Sequence, residues 1–170
     1  MPRSNIMVVI YPNQNGMGYV VCEHPRDIIN YGIGKFRKLS PTNYVTRLKK
    51  FIRQYRPAVV ILKDYDDSNT TSRRVKEVID TLEAHAKKHD VKVYRYGCSD
   101  IAGVFSLFGD ASKHGISKTL ASWYPDLQRF LAPPRNFKIS EHYHMGIFDG
   151  FALMYTHAHL TGLVKNDYEN

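Results

Sequence analysis

Asp149 stands in the apolar run Phe148-Asp149-Gly150-Phe151-Ala152-Leu153. A carboxylate among apolar side chains needs a partner to offset its desolvation. It is therefore a candidate ligand or acid, or else a cap on a neighbouring element. Glu141 lies about two helical turns earlier in the chain. A second acidic group, Asp64, Asp66 and Asp67, falls in a polar loop. Those carboxylates suit a hard cation such as Mg²⁺. They equally suit the cap and first turn of the helix expected to follow. The pairs His142/His144 and His157/His159 resemble metal tracts. On a helix, however, residues two apart point about 200° apart and cannot grip one ion together. They are read as surface or partly buried histidines, and no metal is assigned to them.

The basic residues outnumber the acids, 24 to 16, giving a net charge of +8. Clustered Lys and Arg displace counterions from phosphates, so this balance points to a nucleic acid, DNA or structured RNA. The residues expected to contact phosphate are Arg47, Lys50, Arg53, Arg73, Arg74, Lys113 and Lys118, with His114 beside them. The alternative for each is an ordinary solvated face. The 12 tyrosines and 8 phenylalanines could supply stacking surfaces, but most are expected in the core.

These residues need a scaffold, and the pattern supplies one. Ile6–Ile10 is a continuous apolar run, as in a strand buried on both faces. Tyr11-Pro12-Asn13 is expected to end it, and Asn15-Gly16 to turn the chain into a second strand over 18–22. A third strand follows over 28–36. Ser40-Pro41 marks a helix start, with serine as cap and proline at the first helical position. Val45, Leu48, Phe51, Ile52 and Tyr55 then recur at helical spacing. Pro57 closes that helix before a buried strand, Val59–Leu62. A helix over 72–88 with Val75, Val78, Ile79 and Leu82 inward leads to a fifth strand, 91–96. Helices are expected over 100–108, 112–123, 126–131 and 141–160. The order βββαβαβ followed by helices predicts an α/β domain: an antiparallel meander, two parallel strands and flanking helices. No linker or repeat divides the chain, so one domain is expected over 1–170, with its core at about 6–160.

No apolar run reaches the roughly 18 residues of a membrane span. Residues 1–5 are polar and lead straight into a strand, unlike a secretory signal. Cys22 and Cys98, each in or beside a strand, are expected as buried, reduced thiols in the cytoplasm.

Several stretches resemble the RuvC-type resolvases of the ribonuclease-H-like superfamily. Val8-Val9-Ile10-Tyr11-Pro12-Asn13 with Gly16-Met17-Gly18-Tyr19 is similar to their first hairpin. Pro57–Tyr65 is similar to their fourth strand, and Phe148–Leu153 to their last helix. Lys113-His114-Gly115-Ile116, Tyr124-Pro125-Asp126-Leu127, Ser140-Glu141 and Met145–Asp149 resemble a bacterial branch of RuvC-like proteins. The resemblance implies a structure-specific endonuclease that acts as a homodimer. Its carboxylates would hold two Mg²⁺ ions about 4 Å apart to hydrolyse a phosphodiester. Position by position, however, the first-strand acid falls on Tyr11 and the fourth-strand acid on Lys63. Asp149 is in place, and its branch partner falls on Glu141 or His142. In RuvC itself the partner lies three residues before, where this chain has Gly146.

Three functions follow as expectations. The first is a nucleic-acid-binding protein whose nuclease chemistry is lost or impaired. The second is a Mg²⁺- or Mn²⁺-dependent nuclease with a displaced site of Asp149, Glu141 and Asp64. The third is a non-catalytic subunit that docks proteins. The substitutions also predict that the Lys63 ammonium pairs with Asp149.

Overall fold

The computed structural model describes residues 4–14, 16–38, 40–65, 71–131 and 144–164. Three antiparallel strands open the chain: β1 (Met7–Asn13), β2 (Gly16–His24) and β3 (Asp27–Lys35). Helix α1 (Pro41–Tyr55) crosses to β4 (Val59–Lys63), which pairs parallel to β1. Helix α2 (Arg73–Lys88) crosses to β5 (Lys92–Tyr96), parallel to β4. The sheet order is β3-β2-β1-β4-β5. Helices α3 (Cys98–Phe105), α4 (Lys113–Trp123) and α5 (Met145–Leu160) follow, with 3₁₀ segments at Ser106–Phe108 and Pro125–Phe130. The mixed five-stranded sheet flanked by helices is the architecture the pattern predicts.

The helix starts follow local chemistry. The Ser72 and Ser112 hydroxyls accept from the Val75 and Gly115 amides and cap α2 and α4. Ser40 caps α1 through its backbone position alone, with Pro41 next. Arg56 closes α1 in a left-handed conformation, φ 46°.

Several boundaries differ from the sequence pattern, among them the helix expected over 100–108, which runs as α3 from Cys98 to Phe105 with a 3₁₀ turn after it. β1 continues through Tyr11-Pro12-Asn13 instead of ending there. Its pairing with β4 stops at Ile10↔Leu62, so beyond it only β2 is bonded and the proline is tolerated. Gly16 pairs with Asn13 and belongs to β2 rather than to the turn. The segment expected as a helix over 126–131 is 3₁₀ over Pro125–Phe130. The last helix is described from Met145 onward, and Glu141 and His142 lie outside the described residues.

The sheet separates two apolar layers. Val8, Ile10, Val21, Val60 and Leu62 face α1 and α2, against Tyr44, Leu48, Phe51, Val78 and Leu82. Met7, Val9, Val20, Cys22 and Ile61 face α3, α4 and α5. From Gly146 to Ala158 all residues of α5 but Asp149 are buried. This helix is apolar all round because the sheet covers one side and α3 and α4 the other. Cys22 is buried as expected, and burial pushes its thiol up to about 12, with Asp27 adding. Cys98 is exposed, contrary to expectation, because it is the first residue of α3 rather than part of β5.

Candidate functional site

Strand alternation decides which side chains can meet. Odd-numbered residues of β1 and β4 point toward α5: Met7, Val9 and Ile61 are in that layer and Tyr11 packs against it. Lys63 continues the same alternation and is buried, 6% exposed. Its ammonium donates to the Asp64 carbonyl at 2.5 Å and stands 5.7 Å from the centroid of the Tyr11 ring. A cleft of about 110 Å³ opens beside Tyr11, lined also by Cys98, Lys113, Ser117, Met145 and Asp149. Tyr11 from β1 and Asp149 from α5 therefore converge, with Lys63 against the tyrosine. Among the described residues, Arg73, Lys87 and Arg95 form ion pairs with carboxylates.

Asp64 faces the opposite side of the sheet. Its Oδ1 accepts from Arg95 Nε at 3.0 Å and from Arg95 Nη2, and from the Tyr65 amide. Arg95 Nη1 donates to Asp80 at 3.0 Å and to Glu83 at 2.6 Å, and the guanidinium stacks on Tyr65 at 4.8 Å. Burial opposes the arginine's charge, but Glu83 and Asp64 more than offset it and its pKa is raised. Hydrogen bonds from Lys87 and then Arg95 hold the Glu83 carboxyl below its ordinary range. Asp64 is thus a strut between β4, β5 and α2 and does not share the cleft with Asp149. Sequence reading missed Arg95, although a lone arginine alternating with Tyr94 and Tyr96 above Asp80 and Glu83 was a legible signal.

His157, expected as a surface or partly buried histidine, lies in the core. It is 3% exposed, with Tyr96 Oη 2.9 Å from its Nδ1 and Tyr94 edge-on at 4.6 Å. Burial, with Lys92 adding, lowers its pKa to about 4. It is a neutral core histidine, not half of a metal pair with His159. His144 is half-buried against Phe130.

Position 146 has a packing reason to lack an acid. A Cβ on Gly18 of β2 would meet the Gly146 carbonyl oxygen at 1.9 Å. One on Gly146 would meet Ile33 and Gly18 at 3.5–3.7 Å. α5 therefore lies directly on β2, and a longer side chain at 146 would extend from a site already in contact with Ile33.

The basic residues fall on two sides. Lys113, which lines the cleft, and Lys118 are exposed on α4, with His114 half-buried. Asp110 lies next to them, its carboxyl held low mainly by bonds from Ser112. Arg73 and Arg74 are exposed at the start of α2, where Arg73 reaches Glu77 at 3.7 Å. Arg47 is half-buried, and Lys50 and Arg53 are exposed on α1, across the sheet from the cleft. Asp66 and Asp67 lie outside the described residues.

A two-magnesium centre needs several convergent carboxylates. Among the described residues, no group of three His, Cys, Asp or Glu could hold a metal. Asp149 is the one carboxylate among the described residues that line the cleft, and a buried ammonium adjoins Tyr11. This described donor set does not fit the pair of ions that the fold implies.

No protein-family model matches the chain. No curated protein matches it either. Solved structures do. RuvC of T. thermophilus in complex with a Holliday junction substrate is similar over 93% of this chain and 95% of its own, TM-score 0.66, identity 16%. A second Thermus thermophilus RuvC structure gives TM-score 0.62 at 16% identity over 93% and 96%. The yeast mitochondrial Holliday junction resolvase Ydc2 gives 0.56 at 13% over 95% and 82%. The fold is therefore the RuvC-like form of the ribonuclease-H-like architecture. No helix of the described residues is long and apolar enough to cross a membrane.

Proposed function

We propose that this chain binds nucleic acid on a resolvase-like scaffold and has lost, or nearly lost, metal-dependent cleavage. The observation that carries the reading is the Lys63 ammonium, buried at the end of β4 and standing over Tyr11. The resemblance expects an acid at both positions. A fixed positive charge there repels a divalent cation and can serve a phosphate as a point charge. The net charge of +8 and the similarity to resolvases, one of them solved with a junction, support a nucleic-acid partner. Lys113 lines the cleft, Lys118 is exposed on the same helix, and both are assigned to phosphate contact.

The displaced nuclease of Asp149, Glu141 and Asp64 is disfavoured because Asp64 is committed to Arg95 on the other face of the sheet. Its Mg²⁺ or Mn²⁺ would need ligands from elsewhere. The docking-subunit reading has no specific observation in its favour. In the favoured reading the chain is a cytoplasmic homodimer, which light scattering at micromolar concentration checks. The functional test is a four-way DNA junction and a structured RNA offered at low salt, with and without Mn²⁺. Retention without strand cleavage is the expected result. Cleavage that Asp149→Ala abolishes would establish the nuclease instead, and no retention at low salt would remove the binding role.

A further inference from the structure

The outer helical layer carries a second concentration of positive charge that the cleft does not use. α1 has four basic residues, Arg47, Lys49, Lys50 and Arg53, and no acid. Arg56 follows in its left-handed cap. α2 runs beside α1 and adds Lys88, with His85 and His89. Lys49, Lys50, Arg53, Arg56, Lys88 and His89 are all exposed. The His85 and His89 rings lie 4.6 Å apart. Burial comes first in lowering the His85 pKa, followed by the charges of His89, Lys49 and Lys88. Lys49 from α1 and Lys88 from α2 therefore act on one spot between the helices.

The acids of this layer do not neutralise it. Glu77 pairs with Arg73, Glu83 with Lys87 and Arg95, and Asp80 with Arg95. Asp90, just past α2, is the nearby acid that no such pair takes up among the described residues. Helix dipoles explain basic residues in a last turn. They do not explain Lys49 and Lys50, more than a turn inside α1.

We propose that the α1–α2 groove is a second nucleic-acid site, holding the phosphate backbone of a duplex separate from the one at the cleft. This rests on the nucleic-acid-binding reading above and adds a second face to it. The two faces lie on opposite sides of the sheet, since α1 and α2 cover one and α3, α4 and α5 the other. One copy of the chain thereby bridges two duplexes or two arms of a branched molecule. A second copy of the chain is the poorer occupant. A two-fold interface sets a patch against itself, and this patch is of one sign.

The test compares a groove variant, Lys49→Glu/Arg53→Glu/Lys88→Glu, with a cleft variant, Lys113→Glu/Lys118→Glu. Fluorescence anisotropy follows a labelled DNA or RNA duplex across a salt series. Bridging is read as capture of that duplex on beads carrying a four-way junction. The groove variant should lose bridging while still binding one duplex. For whatever bridged capture remains, the slope of log K against log salt should fall by about 3, one for each cation taken away from a phosphate in the groove. The glutamine set Lys49→Gln/Arg53→Gln/Lys88→Gln should behave in the same way, and decides the matter if charge reversal disturbs folding. Wild-type bridging and slope in both groove variants, with the cleft variant impaired, would overturn the second site and leave the cleft reading intact. Failure of the wild type to retain duplex or junction at low salt would overturn both.

Discussion

The backbone of Gly18 in β2 touches that of Gly146 in α5, closely enough that a Cβ on Gly18 would lie 1.9 Å from the Gly146 carbonyl oxygen. Gly18→Ala should therefore push α5 off the sheet and cost about 1–3 kcal/mol, the usual range for overpacking. Gly146→Ala meets only ordinary contacts at 3.5–3.7 Å and should be tolerated. Urea unfolding of the two variants checks the contrast. Equal losses would mean that α5 does not rest on β2 as described.

Arg95 joins Asp64, Asp80 and Glu83 and so ties β4 and β5 to α2. Arg95→Met should destabilise by on the order of 2 kcal/mol, less than a fully buried pair loses, because the carboxylates are partly exposed. The Glu83 carboxyl is held below its ordinary 4.5 in the folded chain. The unfolded chain thus binds more protons around that value, and this stability is present above it and fades as pH falls below it. The acid limb of the stability curve should flatten in Arg95→Met.

His157 should stay neutral at any pH where the fold survives above its lowered value of about 4. The unfolded imidazole, near 6.5, takes up a proton first. Stability from this site is therefore full above about 6.5 and declines as pH drops toward 4. Ring resonances of His157 that do not move between those values are the expected NMR result. His157→Gln should remove that part of the pH dependence. A titration near 6.5 would place the ring in solvent.

Much of this arrangement could be read from the chain. Alternating and helical apolar periods located all five strands and the long helices, because burial on a sheet or along a helix stripe leaves a repeating trace. Ser40-Pro41 marked the start of α1, although Ser40 makes no side-chain cap bond, whereas the serines that begin the expected 72–88 and 112–123 helices do cap them. The turn at residues 13–16 was displaced because pairing, not turn preference, decided whether Gly16 was strand. Tyr11 and Asp149 were expected in one cleft and line one. Strand alternation places Lys63 on the same side of the sheet as Tyr11, and its ammonium stands over that ring. Here the ammonium bends back to the Asp64 carbonyl. Arg95 was missed, and the full burial of His157 was not foreseen, because their partners are far away in sequence, 31 residues for Asp64 and 61 for Tyr96.

Lys113, which lines the cleft, and Lys118, exposed on the same helix, should each behave as a phosphate contact. Replacing either with glutamine should weaken duplex and junction binding across sequences and lower the salt slope by about 1. Salt-dependent anisotropy gives both numbers. A change in sequence preference with an unchanged slope would assign these residues to bases rather than backbone.

The buried Lys63 ammonium, against Tyr11, stands where the resemblance expects carboxylates that would hold metal. Titration calorimetry with Mn²⁺ on the wild type and on Tyr11→Asp/Lys63→Glu tests it most directly. The account predicts no stoichiometric uptake by the wild type and measurable binding by the double variant, because three carboxylates then converge on the cleft. Tight stoichiometric Mn²⁺ binding by the wild type would contradict it.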